Sequence, residues 1–381
     1  MTASSTHAAV LGLGRMGTAV ARRLADHGWQ VTGWNRSPVS TPQDFTVVTD
    51  PLEAVAKADV VLLALYDGTA CRDVIARIEP ALAARAAVVN ISTIAPQDAA
   101  ELAVNLRSSY VHAPVLGSVP AVERGSLRIL AAGQAGPAYE VLAALGEVHH
   151  VDDAATAAAL KLIANTSLAG AVSALREALQ QAAVLGLSRQ QALDVLALGQ
   201  LGGIVGRKRD LLTGATKPAE FTVGALAKDM DLLSAASQHP LRYAAELAES
   251  PAGPDADIAL AATVPPVDAS VLAPLESYIR GHATGDPSHF RAAFLPSAHV
   301  EGVRDGVFVS WNLDEYCAKF SGGPAYDEAT RRRRIDSVDV HGTVATASMT
   351  LWHGADTFKD IFLLVRTGTE WRIANKAYHR S

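Results

Sequence analysis

The run AAVLGLGRMGTAVARRL at residues 8–24 constrains the fold more than any other part of the chain. Apolar residues lead into glycines at 12, 14 and 17, and an amphipathic stretch follows, so the segment reads as strand, tight turn and helix. Gly12 permits the turn, Gly14 lets a pyrophosphate approach the backbone, and Gly17 allows close packing of the helix. The free N–H groups and positive dipole end of the helix then favour an anion. This predicts a dinucleotide-binding Rossmann domain, with Leu13, Arg15 and Met16 of the same turn as further cofactor contacts.

The next apolar run, Gln30 to Trp34, ends in Asn35-Arg36-Ser37. An NAD site would place an acid here for the ribose 2′-hydroxyl. Instead Arg36 offers a bidentate fork, with Asn35 and Ser37 as neutral partners, which favours NADP(H). The plainer alternative is an arginine in a surface turn. Further strand candidates are Val60 to Leu65, Ala87 to Ile91, Ser109 to Ala113 and Arg128 to Ala131, with helices such as Thr18 to His27 and Pro96 to Arg107 between them. This alternation predicts a parallel sheet covered on both faces over residues 1–152, and Leu65 joins the cofactor contacts.

The character then changes. Asp153 to Leu185 is rich in Ala and Leu, lacks proline and has Gly170 in mid-run, which predicts one long buried helix after an Asp cap. An all-helical domain is expected over 153–250, for substrate binding and dimerisation. Residues 251–267 hold four prolines without periodicity and read as a linker. Residues 268–381 begin with helix and end in alternation, with Ala345, Ala347, Met349 and Leu351 on one face and Ile361, Leu363 and Val365 on another, which predicts an α+β module. A chain of 381 residues divides readily into such parts.

No apolar run approaches the roughly 18 residues of a membrane span, and Met1 to His7 lacks the order of a secretory signal. With Cys71 and Cys317 far apart, a reducing cytoplasm is expected. The formal net charge of −6 argues against a nucleic-acid partner. Arg331 to Arg334 is the one dense basic run. It could meet an anion, but it precedes an alternating strand and reads better as a solvated strand edge.

Lys161 and Asn165 lie one turn apart on the long helix and share a face. Buried beside a nicotinamide, Lys161 would have a lowered pKa and could give a proton to a carbonyl oxygen while Asn165 orients the substrate. The alternative is an exposed lysine on the outer face of an amphipathic helix.

Several segments in order resemble the β-hydroxyacid dehydrogenase family, relatives of 3-hydroxyisobutyrate and 6-phosphogluconate dehydrogenases. They are GLGRMG, WNRS, ISTIAP, HAPVLGSVPAVERGSLRILAAG, KLIANTSLAG and EFTVGALAKDMDLL, within residues 8–240. The GSVPAVERGSLRILAAG stretch is most similar to the glyoxylate and succinic semialdehyde reductase branch. The resemblance implies Lys161 as catalytic acid/base, Asn165 as its partner, Thr93 beside the nicotinamide, Lys228 as a cofactor contact, and Leu116, Gly117 and Ser118 at the substrate. Leu116 stands where the family has a serine that holds a substrate carboxylate. That change implies a larger or less polar substrate, with Ser118 as a substitute donor. Imine reductases share the architecture but usually carry Asp or Tyr in place of the lysine.

Residues 268–381 resemble the nuclear transport factor 2-like superfamily, its SnoaL-like and lumazine-binding members, through ESYIRGHATGDPSHF and DTFKDIFLLVRTGTEWRIANKAYH. The resemblance implies a cone-shaped sheet around a pocket and, usually, a dimer. His299, Tyr316, Trp352, His353 and Asp360 are candidate pocket residues, each read more readily as core or strand surface than as catalytic, because no spacing singles them out. Leu295-Pro296-Ser297 replaces the His-Pro-Asp of many members, which argues against an independent active site and for a role in oligomerisation or in closing the substrate pocket. The expected function is an NADPH-dependent carbonyl reductase. An imine or natural-product tailoring reductase, and a non-catalytic NADP-binding scaffold, are the alternatives.

Overall fold

The structure is a computed structural model that describes residues 6–38, 45–106, 108–134, 136–263, 269–304 and 306–381, with backbone alone at Arg242 and Ala269. The chain divides into two units, Met1–Val264 and Pro265–Ser381.

The first unit opens with β1 (His7–Leu11), α1 (Arg15–Asp26), β2 (Gln30–Trp34), β3 (Thr46–Val48), α2 (Pro51–Val55), β4 (Val60–Leu63), α3 (Gly68–Ile78), β5 (Ala87–Asn90), α4 (Pro96–Asn105) and β6 (Ser109–His112). These strands form one parallel sheet in the order β3-β2-β1-β4-β5-β6, reversing direction of growth between β1 and β4. Ligands bind at such a switch point, beyond the carboxyl ends of the strands. Each central strand is buried on both faces, as a doubly covered sheet requires. Arg107, expected to end the fourth helix, lies outside the described residues.

β7 (Val115–Leu116), α5 (Val119–Glu123), β8 (Leu127–Ala131), α6 (Gly136–Leu145) and β9 (Gly146–His150) follow. The strand candidate at Arg128 does form, but in a separate sheet β7-β8-β9, antiparallel to β7.

The helical part comprises α7 (Ala154–Val184), α8 (Arg189–Leu198), α9 (Gly202–Leu212), α10 (Val223–Ser237), α11 (Arg242–Ala248) and α12 (Ile258–Ala261). Asp153 caps α7 by accepting from Thr156 N at 2.9 Å. By length and composition α7 could cross a membrane, against the expectation that no segment could. Its apolar residues have another use here, since Ala169, Val172, Leu175 and Leu179 form one core with residues of α8 to α12.

The linker expectation is corrected over residues 251–263. Val223 N and Gly224 N donate to Ala256 O and Pro254 O, so the segment is a strap on the start of α10. Asp257 is 2% exposed and Ile258, Ala259, Ala261 and Ala262 enter the helical core. Periodicity is missing because the strap is irregular, although it is packed. Residues 264–268 lie outside the described residues.

The second unit contains α13 (Leu272–Thr284), α14 (Pro287–Ala293), β10 (His299–Arg304), β11 (Val307–Asn312), α15 (Leu313–Cys317), β12 (Arg332–His341), β13 (Val344–His353), β14 (Asp356–Thr367) and β15 (Glu370–Arg380). Its sheet runs β11-β10-β15-β14-β13-β12, antiparallel except between β10 and β15. Ala345, Ala347, Met349 and Leu351 face the core together with Phe362 and Leu364, whereas Ile361 and Leu363 point outward, 52% and 46% exposed. β12 is an edge strand as expected, but Arg333 is not solvated: it is buried in a bidentate pair with Glu328, at 2.6 and 2.8 Å.

Candidate active site

The turn between β1 and α1 is held on both sides. Gly12 has φ +100°, and a Cβ there would stand 2.4 Å from Ala64 O. A Cβ on Gly17 would stand 1.8 Å from Gly12 O, whereas one on Gly14 would meet nothing within 4 Å. Two glycines therefore serve packing, and the third leaves the turn open to a cavity of about 670 Å³. Gly12, Gly14, Arg15, Met16, Gly17, Asn35, Arg36, Ser37, Leu65, Thr93, Lys161 and Lys228 all line this cavity. An open glycine cradle at a helix N-terminus, with a guanidinium beyond the second strand, fits a dinucleotide.

One expected contact, Leu13, is not among the lining residues. Leu13 lies in the core, and its N–H donates to Asn35 Oδ1 at 3.0 Å. Asn35 Nδ2 donates to Ser37 O at 2.9 Å, so both ends of the amide shape the turn. Arg36 is exposed and has no hydrogen bond or ion pair among the described residues.

Lys161 and Asn165 lie on the inward face of α7, 8% and 5% exposed, in register with Ala158, Leu162 and Ala169. The exposed-lysine alternative fails on this burial. Lys161 Nζ donates to Asn165 Oδ1 at 3.0 Å, and Asn165 Nδ2 donates to Asp229 Oδ2 at 2.6 Å. Both polar atoms of Asn165 are thus engaged, and it holds the lysine, where the sequence suggested it would hold substrate. Burial pulls the Lys161 ammonium down to about 8, with Lys228 adding to the shift and the Asp229 carboxylate opposing it.

Lys228 Nζ donates to Tyr66 O at 3.0 Å and Thr93 O at 2.9 Å, and pairs with Asp229 Oδ1 at 2.9 Å. It ties α10 to the rim of the dinucleotide cavity. Asp229, next to Lys228 in the quoted EFTVGALAKDMDLL segment, escaped the sequence reading; an acid following a site lysine on a buried helix was the available signal.

On the far side of Lys161 lies a second cavity, of about 970 Å³, lined by Leu116, Gly117, Ser118, Lys161, Asn165 and residues of α9. The two cavities share Gly117, Ser118, Lys161, Glu220 and Phe221. Ser118 Oγ donates to Glu220 Oε2 at 3.1 Å, and Lys208 Nζ donates to Glu220 Oε2 and Asp257 Oδ2, each at 2.9 Å. Ser118 is thereby committed to a protein carboxylate.

In the second unit, Tyr316, His353 and Asp360 face the interior, joined by Tyr278, His282 and Lys376. Lys376 Nζ pairs with Asp360 Oδ2 at 2.8 Å, and Tyr278 Oη donates to the same oxygen at 2.7 Å. His282 and Tyr316 are in hydrogen-bond contact at 2.9 Å. Two candidates are corrected: His299 is exposed, and Trp352 lies on the opposite face from Leu351 and His353, beneath Arg332 and Arg334. Strand alternation decides both.

Residues 7–182 match the family model described as "NAD binding domain of 6-phosphogluconate dehydrogenase", and residues 266–379 match one described as "Putative lumazine-binding". The chain is 30% identical over 255 residues to the "Cytokine-like nuclear factor N-PAC" of Xenopus tropicalis, which covers 62% of this chain but only 47% of that protein, less than half its length. It is 27% identical over 239 residues to "Glyoxylate/succinic semialdehyde reductase 1" of Arabidopsis thaliana, covering 58% of this chain and 82% of the relative. Among solved structures, a Mycobacterium tuberculosis 3-hydroxyisobutyrate dehydrogenase with L-serine is similar, with TM-score 0.60 and 25% identity, over 68% of this chain and 98% of that one. By these matches residues 7–182 are similar to the nicotinamide-binding part of the β-hydroxyacid dehydrogenases, and residues 266–379 are similar to lumazine-binding domains of the nuclear transport factor 2-like kind.

Proposed function

We propose that the protein is an NADPH-dependent reductase of aldehydes or ketones, with Lys161 as proton donor. The observation that carries this reading is the position of Lys161 where the dinucleotide cavity and the second cavity meet. When bound, the nicotinamide supplies hydride to the carbonyl carbon. The ammonium of Lys161 gives a proton to the carbonyl oxygen, becomes a neutral amine and recovers its proton from solvent. Asn165 and Asp229 are positioning residues that fix the direction of Nζ. The free fork of Arg36 and the lack of a carboxylate in Asn35-Arg36-Ser37 support the phosphorylated cofactor.

The test is NADPH oxidation against panels of carbonyl compounds and imines, with wild type and Lys161→Ala. General acid catalysis is worth about 10²–10⁴-fold, so the variant is expected to lose at least that much turnover while NADPH affinity stays close to wild type. Unchanged turnover would refute the role of Lys161, and turnover of imines alone would move the reading to an imine reductase. Exposed Leu160 and Ile163 on α7, with Val184, Leu185, Val195 and Leu198 nearby in sequence, support a homodimer as part of the same proposal. Light scattering of the full chain tests it.

A further inference from the structure

We infer that the second cavity is a groove for an uncharged, apolar body of the substrate, laid along α7 from Lys161 towards Ala171. This rests on the proposed reaction and names its substrate class: an aldehyde or ketone on an extended aliphatic or arylalkyl chain, with no acidic group.

α7 supplies the floor of the groove. Lys161, Ala164, Asn165, Leu168 and Ala171 all line the cavity of about 970 Å³. Positions three, four, seven and ten residues beyond Lys161 fall on one stripe of a helix. At a rise of about 1.5 Å per residue the stripe runs about 15 Å from Lys161 to Ala171. The reacting carbonyl belongs at the Lys161 end, where this cavity meets the dinucleotide cavity, so the body of the substrate extends towards Leu168 and Ala171.

The walls beside this stripe are apolar. Leu116 and Ala121 stand on the side of β7 and α5, and Ile204, Phe221 and Ile258 on the side of the helical part. Ile204 and Ile258 are 5% and 3% exposed and belong to the helical core, and Leu168 and Phe221 pack against it. The groove is an open flank of that core, where an apolar chain is removed from water.

The polar groups along the groove are already engaged. Asn165 is held at both ends, Ser118 donates to Glu220, and Lys208 holds Glu220 and Asp257. Ser167 Oγ donates to Ala164 O at 2.7 Å. Lys161 differs, since an ammonium has three donors and one of them serves Asn165. Arg124, Arg128 and Arg207 also line the cavity, but they are exposed and keep their hydration. A charged body on the groove would give up water without a replacement, whereas every methylene laid there gains.

The test is a series of straight-chain aldehydes, butanal to decanal, followed by NADPH oxidation with the full chain, with 6-oxohexanoate beside hexanal as the charged control. Along the series kcat/KM is expected to rise about two- to fourfold per methylene, as burial of each one predicts, and hexanal is expected to be preferred over 6-oxohexanoate. Ala164 and Ala171 act as a ruler. Ala164→Leu, about one turn from Lys161, should end the rise at a shorter chain than Ala171→Leu, about three turns away. The ratio of decanal to butanal in kcat/KM should fall at least tenfold in Ala164→Leu, with NADPH affinity as the check on folding. In parallel, 1-octanol and 1-butanol are titrated into the NADPH complex by calorimetry, where octanol is expected to bind wild type at least tenfold more tightly and Ala164→Leu to remove that advantage. A flat series, a preference for 6-oxohexanoate, the same cut-off in both variants, or equal binding of the two alcohols to wild type overturns the inference. If no carbonyl compound is turned over, the proposed reaction fails, and the alcohol titration alone decides the groove.

Discussion

The Nζ of Lys161 donates to Oδ1 of Asn165 at 3.0 Å, one turn along the same buried face of α7. Behind Asn165 stands Asp229, whose carboxylate works against the desolvation of the lysine. The lysine is buried enough to release its proton and paired well enough to keep it near neutrality.

From this the pH dependence follows. Lys161 must be protonated to reduce a carbonyl, so kcat for reduction is expected to fall as pH rises through about 8, while alcohol oxidation rises over the same range. Replacing Asp229 with Asn removes the charge that raises the Lys161 pKa, and the fall should move to lower pH. A pH–rate profile with an unmoved limb would remove Asp229 from the account.

Cofactor choice is expected to depend on Arg36. Arg36→Ala should weaken NADPH binding by about 1.5–3 kcal/mol, the range for a hydrogen bond to a charged group, and spare NADH. Fluorescence titration with both cofactors measures this, and equal losses would contradict it.

Acid should destabilise the first unit through His112. This histidine is buried with Nε2 unpartnered, and burial pushes its pKa down to about 3. Below the ordinary value near 6.5 the unfolded chain takes up a proton that the folded state refuses. Stability is therefore complete above that pH and falls towards 3, by up to about 1.4 kcal/mol per pH unit. Urea unfolding at pH 7 and pH 5 should show a smaller loss for His112→Asn than for wild type.

In the second unit, Lys376 and Asp360 form a buried pair at 2.8 Å. Asp360→Ala leaves an uncompensated ammonium in the core and should cost about 3–5 kcal/mol. The double replacement of Lys376 and Asp360 by Met and Leu should cost less. Thermal unfolding of the three proteins decides it, and equal losses would mean the pair is not coupled.

The sequence alone determined what is local. A glycine turn between a strand and a helix, an arginine after the next strand and a lysine four residues before an asparagine are each set by neighbours within a few turns. The long capped helix and the alternation of β13 were legible for the same reason. Tertiary structure decided everything that depends on which faces meet. Whether Lys161 is buried depends on the helices that cover α7, and Asp229 reaches Asn165 from 64 positions away. The strap at 251–263 has no period to read, yet its backbone pairs with α10. Leu116 and Ile258 are far apart in sequence, and only the fold brings them to one cavity along α7. The glycine turn announced a cofactor; long-range packing decided which side chains stand across from it.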